Sequence, residues 1–174
     1  ALVYIDVDQV MWFVDSSAAA GGTGSFNSRF DQLSDAESAS AANDYIFIFP
    51  GTYNQSIILK NGQSLIGANE TWNCPSGSVI RTASMTSTIN GTITLAQNNT
   101  IRGIELGNNM ASMPMIVDNG ATVSNLVITN TNISTTTSSG FKIRNVGALS
   151  VTFDSFNSTS SAAEALYVNN TTGS

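Results

Sequence analysis

Few residues of this sequence could do chemistry. The 174 residues include no histidine, which excludes Ser-His-Asp and Cys-His catalysis, imidazole acid–base chemistry and histidine-based metal sites. Cys74 is the single cysteine, so a disulfide within the chain is excluded. It lies in a polar loop, and we interpret it as a bystander.

Carboxylates are the remaining candidates for catalysis, and in the repeated part of the chain they are Glu70, Glu105, Asp118, Asp154 and Glu164. Glycoside hydrolysis needs two or three carboxylates on one groove, and a calcium-dependent lyase needs an acid cluster beside a basic residue. The spacing of these residues predicts no such cluster. We therefore expect no catalytic residue, no metal site and no cofactor, and the sequence identifies no ligand-binding residue.

Asp118 and Arg144 are the one acid–base pair that the spacing brings together. Each follows the last apolar residue of a repeat described below, and the two repeats are consecutive. Stacked strands are about 4.8 Å apart, so the two side chains should point outward as neighbours and could form a salt bridge.

Composition favours β structure. The chain is 41% hydrophobic and 10% charged, against about 25% charged in ordinary globular domains. Its polarity comes from Ser, Thr, Asn and Gly, which suit turns and strand surfaces. The net charge of −6 predicts no nucleic-acid partner. No run reaches the roughly 18 apolar residues of a membrane helix, so we expect no direct membrane insertion.

A repeat organises the chain from residue 57 onward. Five segments share two apolar residues spaced two apart, followed two residues later by an amide side chain; they are 57–62, 93–98, 115–120, 141–146 and 166–171. Asparagine tolerates left-handed backbone, and stacked amides can bond to one another. The alignment predicts a structural amide ladder at one corner, formed by Asn61, Gln97, Asn119, Asn145 and Asn170.

The last apolar residues of the five segments are expected to point inward and to stack; they are Leu59, Leu95, Val117, Ile143 and Val168. Their separations are 36, 22, 26 and 25 residues. The first is longer, which predicts an insertion within residues 69–84. Stacked repeats of this length predict an all-β solenoid, a single-stranded parallel β-helix.

The N-terminal part predicts a cap for the open end of such a solenoid. Residues 11–15 and 45–49 are expected to be strands. Between them, residues from about 28 to 42 predict a helix with Ser28 as its N-cap. The whole chain, 1–174, is expected to be one domain, with the N-terminal cap and first coil in 1–56 and stacked coils in 57–174. We expect it to be cut from a longer protein, with further coils after the C-terminus.

Two stretches resemble the pectin-lyase-like, right-handed parallel β-helix superfamily. The first is Trp12-Phe13-Val14-Asp15 followed by the glycines of 21–24, and the second comprises 46–54 and 57–67. The coils that follow look like the N-terminal passenger regions of large bacterial surface proteins of the autotransporter type. The resemblance covers nearly the whole chain and implies a right-handed solenoid with an N-terminal capping helix.

The superfamily includes polysaccharide lyases and hydrolases, phage tailspikes and adhesins, so the resemblance leaves function open. The lack of an acid cluster favours a non-enzymatic structural or adhesive segment of a large exported bacterial surface protein, located extracellularly or at the cell surface. The alternatives are a carbohydrate-active enzyme, or a tailspike-like carbohydrate-binding module, with the site downstream. A partner would be a host surface or a carbohydrate. A row of exposed aromatic residues beside polar groups would favour the carbohydrate-binding module, and the residues to inspect for it are Tyr53, Trp72 and Tyr167.

Overall fold

Short strands in parallel sheets are the main regular secondary structure of the computed structural model. The structure describes residues 9–73, 79–81, 85–107, 113–135, 139–159 and 164–169. Within these residues, no helix is long and apolar enough to cross a membrane. The parallel sheets confirm the prediction of an all-β chain.

The elements in chain order begin with β1 (Met11–Val14), α1 (Leu33–Ala39), β2 (Tyr45–Ile48), β3 (Gly51–Tyr53), β4 (Ile57–Ile58) and β5 (Ser64–Gly67). They continue with β6 (Trp72–Asn73), β7 (Val79–Arg81), β8 (Ser87–Ile89), β9 (Ile93–Leu95), β10 (Thr100–Leu106) and β11 (Ile116–Asp118). The last five are β12 (Leu126–Thr135), β13 (Phe141–Ile143), β14 (Leu149–Val151), β15 (Ser155–Ser158) and β16 (Leu166–Val168).

Fourteen of these strands form two sheets, and from β3 onward the chain passes back and forth between them. The first sheet has the order β1-β2-β5-β10-β12-β14, with β3, β8 and β15 paired beside this path. The second has the order β4-β9-β11-β13-β16. All strand pairs in both are parallel; β6 and β7 form a separate antiparallel pair within the predicted insertion. Strands that flank Asn61-Gly62 therefore pair with other repeats and not with each other.

The predicted inward column is wrong by one residue in the third repeat. Val117 pairs with Thr94 and is half-buried, whereas Asp118 pairs with Leu95 and is 3% exposed. Met115, Ile116 and Val117 are consecutive apolar residues, so the pattern does not show which of them faces inward. In the structure, Ile116 and Asp118 are the buried positions of the strand. A shift of one residue exchanges the two faces of a strand. At the last strand, Val168 pairs with Ile143 as predicted, but its side chain is 48% exposed.

The main core lies between the two sheets. Fully buried aliphatic residues of the first sheet stack in register, with Ile46 paired to Leu65, Leu65 to Ile101 and Ile101 to Ile128. Each such side chain contributes roughly 1.5–3 kcal/mol of hydrophobic stabilisation.

A second, smaller core lies on the other face of the first sheet, where it is formed by Phe13, Phe47, Phe49 and Ile66. Phe13 pairs with Phe47 and Phe47 pairs with Ile66 across neighbouring strands. Residues that alternation directs away from the main core thus pack against one another instead of facing water.

The predicted helix is shorter than expected. It begins at Leu33, after Gln32, and not near Ser28. Residues before it extend along β1: the Phe30 N–H donates to Phe13 O, and the Asp15 N–H donates to Phe30 O. The helix instead begins where Gln55 Oε1 accepts a hydrogen bond of 2.7 Å from the Leu33 N–H, a contact between residues far apart in sequence.

The helix and the preceding loop cover the end strands of the two sheets. Glu37 Oε2 accepts a hydrogen bond of 2.8 Å from the Ile58 N–H on β4, the end strand of the second sheet. Residues 24–30 cover the outer edge of β1, the end strand of the first sheet. Unpaired strand edges invite pairing with other chains, so this arrangement protects the sheets.

The buried side of the helix should carry much of the stability of this end. Leu33 is fully buried in the main core, and Leu33→Ala should lower the free energy of unfolding by about 2–5 kcal/mol because it leaves a cavity. Ser34→Ala, on the exposed side of the same turn, is the matched control and should change it by no more than about 0.5 kcal/mol. Urea unfolding measures both, and equal effects would contradict the packing described.

Candidate functional site: buried polar side chains at the turns

The predicted amide ladder falls at the turns that follow strands of the second sheet. Asn61, Gln97 and Asn119 have exposed side chains, and Asn145 is half-buried. Asn170, the fifth predicted member, lies outside the described residues. The stack of all five amides at one corner therefore stays a prediction.

Three hydrogen bonds of these side chains run to the backbone. Asn61 Oδ1 accepts from the Gln97 N–H at 3.2 Å, which links one turn to the next. Asn119 Oδ1 accepts from the backbone N–H two residues on at 2.9 Å. Asn145 Nδ2 donates to Gly120 O at 3.1 Å. The side chains thus satisfy backbone groups of the turns.

A different column of polar residues is buried at the same turns, further along the chain. Asp44, Gln63 and Asn99 are 4%, 0% and 0% exposed. Each lies two residues before the inward residue of the next strand of the first sheet. Each side-chain oxygen accepts a hydrogen bond from the backbone N–H three residues earlier, at 2.7, 2.8 and 2.7 Å respectively. We call Asp44, Gln63 and Asn99 the corner column.

The amides of the corner column also connect successive turns. Asn99 Nδ2 donates to Lys60 O at 2.8 Å and to Gln63 O at 3.2 Å. Gln63 Nε2 donates to Ser40 Oγ at 2.9 Å and to Ala41 O at 2.7 Å. Each amide therefore closes its own turn with its oxygen and bonds the preceding turn with its nitrogen, which leaves few buried polar groups unpaired.

Asp44 is the first residue of this column. Its carboxylate accepts hydrogen bonds but has no N–H group that could donate to a preceding turn. It accepts hydrogen bonds from the Val10 N–H at 2.9 Å and from Trp12 Nε1 at 2.8 Å. Burial raises the pKa of its carboxyl, but the bonds from Ala41, Trp12 and Val10 and the charge of Lys60 outweigh burial, so the pKa lies below its ordinary value.

Left-handed backbone conformations occur one residue before the corner column. Asn43, Gly62 and Asn98 have φ values of 68°, 74° and 60°, and Asn125 follows in the next turn with φ 51°. Asn125 Nδ2 donates to Asn98 Oδ1 at 2.8 Å. Asparagine thus supplies left-handed backbone at the turns, but at other positions than the predicted amides, which do not have positive φ at Asn61, Asn119 or Asn145.

Asp118 and Arg144 form the predicted salt bridge, but Asp118 is buried instead of exposed. Arg144 Nη2 lies 3.0 Å from Asp118 Oδ1, and the Asp118 side chain is fully buried while that of Arg144 is 54% exposed. Asp118 also accepts from the backbone N–H groups of Arg144 and Gly120, each at 2.8 Å. Burial raises the pKa of Asp118, but the bonds from Arg144 and Gly120 outweigh it and hold the pKa below its ordinary value. The expectation that Asp118 points outward is therefore wrong.

The aromatic residues proposed for sugar contact have separate surroundings. Tyr53 is 1% exposed; its hydroxyl donates to Phe49 O at 2.9 Å, and burial raises its pKa to about 12. Tyr167 is half-buried, and its ring centroid lies 5.7 Å from the Lys142 Nζ. Nothing is described of the side chain of Trp72. Tyr53 therefore has a structural role, and its buried ring cannot contact a ligand.

The acids of the described repeats do not gather. Within the described residues, no group of three or more His, Cys, Asp or Glu side chains could hold a metal ion. Besides Asp118, Glu70 contacts polar side chains: Asn130 Nδ2 donates to its Oε2 at 2.9 Å, and Arg102 Nη1 lies 4.0 Å from its Oε1.

Comparisons with protein-family models, with curated proteins and with solved structures find no match to this chain.

The corner column should be worth more to stability than the exposed amides. Asn99→Ala leaves the buried Ala96 N–H without its partner and removes one of the hydrogen bonds that Lys60 O and Gln63 O each accept. It should therefore lower the free energy of unfolding by about 1–3 kcal/mol. Asn119→Ala, an exposed amide at a neighbouring turn, is the matched control and should lower it by about 0.5 kcal/mol or less. Denaturant unfolding distinguishes them, and a larger effect at Asn119 would show that the corner column is not the stabilising set.

Stability should fall in acid. Asp15, Asp44 and Asp118 all have pKa values lowered by folding. Their stabilisation is complete above the unfolded pKa of about 3.9 and is lost as the pH falls through the folded values. Asp44→Asn should destabilise the protein at pH 7, and its difference from the wild type should shrink as the pH falls below about 4. Asp154→Asn, at an exposed site, controls for the loss of one charge. A pH-independent difference for Asp44→Asn would contradict the assignment.

Proposed function

We propose that the alternating visits to two parallel sheets are successive turns of a right-handed parallel β-helix. The strand orders of both sheets follow the chain order, and register is kept from turn to turn. Crossovers between parallel strands of one sheet are right-handed in about 98% of cases. The edge-covering helix α1 takes the place of the N-terminal cap.

We propose further that this segment is a non-enzymatic structural or adhesive part of a large exported bacterial surface protein. One observation carries this: each of the three buried carboxylates in the described residues accepts a hydrogen bond from backbone N–H. Asp15 accepts from Ser17 N, Asp44 from Ala41 N and Asp118 from Arg144 N. A catalytic carboxylic acid needs a raised pKa and access to substrate; these groups have lowered pKa values and internal partners.

The enzymatic alternative is favoured by one observation on the outer face of the first sheet. The Nε of Arg102 is buried without a hydrogen-bond partner, and Glu70 lies beside this guanidinium. A polysaccharide lyase would use such a base beside an acid cluster, whereas a hydrolase would need a second carboxylate on the same groove. Glu70 is instead held by Asn130, and we therefore keep the structural role as the proposal.

The absence of polysaccharide cleavage tests the proposal. Purified protein incubated with polygalacturonate, with and without calcium, should release neither unsaturated products nor reducing ends. Product release that Glu70→Gln or Asp118→Asn abolishes would overturn the non-enzymatic role and would locate the site. Asp154→Asn, at an exposed position, is the control that should leave any release unchanged.

A further inference from the structure

A cleft of about 580 Å³ lies beside β1, between the segments 15–22 and 26–29. Its lining includes Asp15, Ser17, Phe26, Asn27 and Arg29. The volume falls in the range of small-ligand sites. None of these residues belongs to the corner column or to the Asp118–Arg144 pair.

An exposed aromatic ring forms one wall of the cleft. The Phe26 side chain is 48% exposed, although it packs edge-on against Phe13 at 5.4 Å between ring centroids. Its loop is held by hydrogen bonds from the Thr23 N–H to Ser28 O at 2.9 Å and from the Ser28 N–H to Ser25 O at 3.1 Å. The ring is thus presented to solvent by a turn that is already ordered.

A fixed guanidinium lies over this ring, with Arg29 Cζ 5.1 Å from the Phe26 ring centroid. Arg29 Nε donates to Phe26 O at 3.1 Å, Nη1 donates to Asp15 Oδ2 at 2.8 Å, and Cζ lies 3.8 Å from the centroid of the Phe49 ring. A guanidinium has five N–H bonds, so three stay available for a ligand. Because Arg29 is held by three contacts, a ligand would not have to order it.

Further polar groups face the same cleft. The Ser17 hydroxyl donates to Asp15 Oδ1 at 2.6 Å, which leaves its oxygen able to accept. Asn27 is exposed and can both donate and accept. Donors and acceptors of hydrogen bonds therefore lie beside one exposed apolar ring.

Charge narrows the class of ligand. Asp15 and Arg29 form a salt bridge of 2.8 Å, so the cleft carries no net charge that would favour an ion of one sign. The net charge of −6 opposes polyanions. The ligand that suits these walls is neutral and rich in hydroxyl groups, and it has one apolar face for the ring.

We propose that this cleft binds a neutral saccharide, with a sugar ring against Phe26 and its hydroxyl groups on Arg29, Asn27 and Ser17. The site rests on the adhesive form of the proposed function and gives it a ligand class. The cleft lies at the end of the sheets that α1 and the preceding loop cover, and it does not include Asp118 or Arg144.

Titration with neutral cello-, malto-, manno- and galacto-oligosaccharides up to about 10 mM tests the site by ligand-observed NMR or calorimetry, with oligogalacturonate as the acidic comparison. At least one neutral series should bind with a dissociation constant of about 1 mM. Phe26→Ala should weaken binding about tenfold or more. Asn27→Ala, which removes no described contact of the fold, should weaken it severalfold. Ile58→Ala, at another exposed apolar residue, should leave affinity unchanged.

Failure of all four neutral series to bind would overturn the saccharide site, as would binding of oligogalacturonate alone. Binding that survives both Phe26→Ala and Asn27→Ala would also overturn it. Circular dichroism of each variant shows that the fold is kept. The structural role is tested separately by the polygalacturonate assay. A protein that neither binds nor cleaves these sugars would contradict the saccharide site but not the non-enzymatic structural role.

Discussion

Buried backbone groups at the turns are the constraint on which the rest of this structure depends. The strands satisfy one another through parallel ladders, but each change of sheet leaves N–H and C=O groups inside the protein with no strand partner. Asp44, Gln63 and Asn99 supply these partners with one repeated geometry. Where Leu126 occupies the next position of the column, it is fully buried and joins the main core. The same place therefore takes a bonded amide or an aliphatic side chain, as burial requires.

The same constraint explains the end of the molecule at which the two sheets begin. The end strands β1 and β4 would expose unpaired backbone, and residues 24–30 and helix α1 cover them. Lys60 Nζ, which donates to Glu37 O and Ser40 O, ties the helix to the turn of the corner column. A seven-residue helix has little stability of its own, so its position is set by these partners and by the burial of Leu33.

The engagement of the carboxylates connects this architecture to function. A carboxylate whose pKa is lowered by side-chain and backbone hydrogen-bond donors is held ionised and in place, which suits a permanent structural bond better than proton transfer. Recognition would then depend on loops that a rigid scaffold presents. The loop of Phe26 and Arg29 is such a place, because the second core beneath it packs the aromatic residues of β1 and β2 against one another.

By itself, the sequence determined the parallel, repeated β architecture, because apolar residues two apart followed by a polar turn recur along the chain. It also indicated that amides and left-handed asparagines belong to the turns. Tertiary structure decided which residues take these roles. Val117 and Asp118 exchange faces because a period of two cannot choose between adjacent apolar starting points. Helix α1 begins at Leu33 because Gln55, distant in sequence, accepts its N–H. Asp118 is buried because the next repeat brings donors to it, and no local pattern records such a contact.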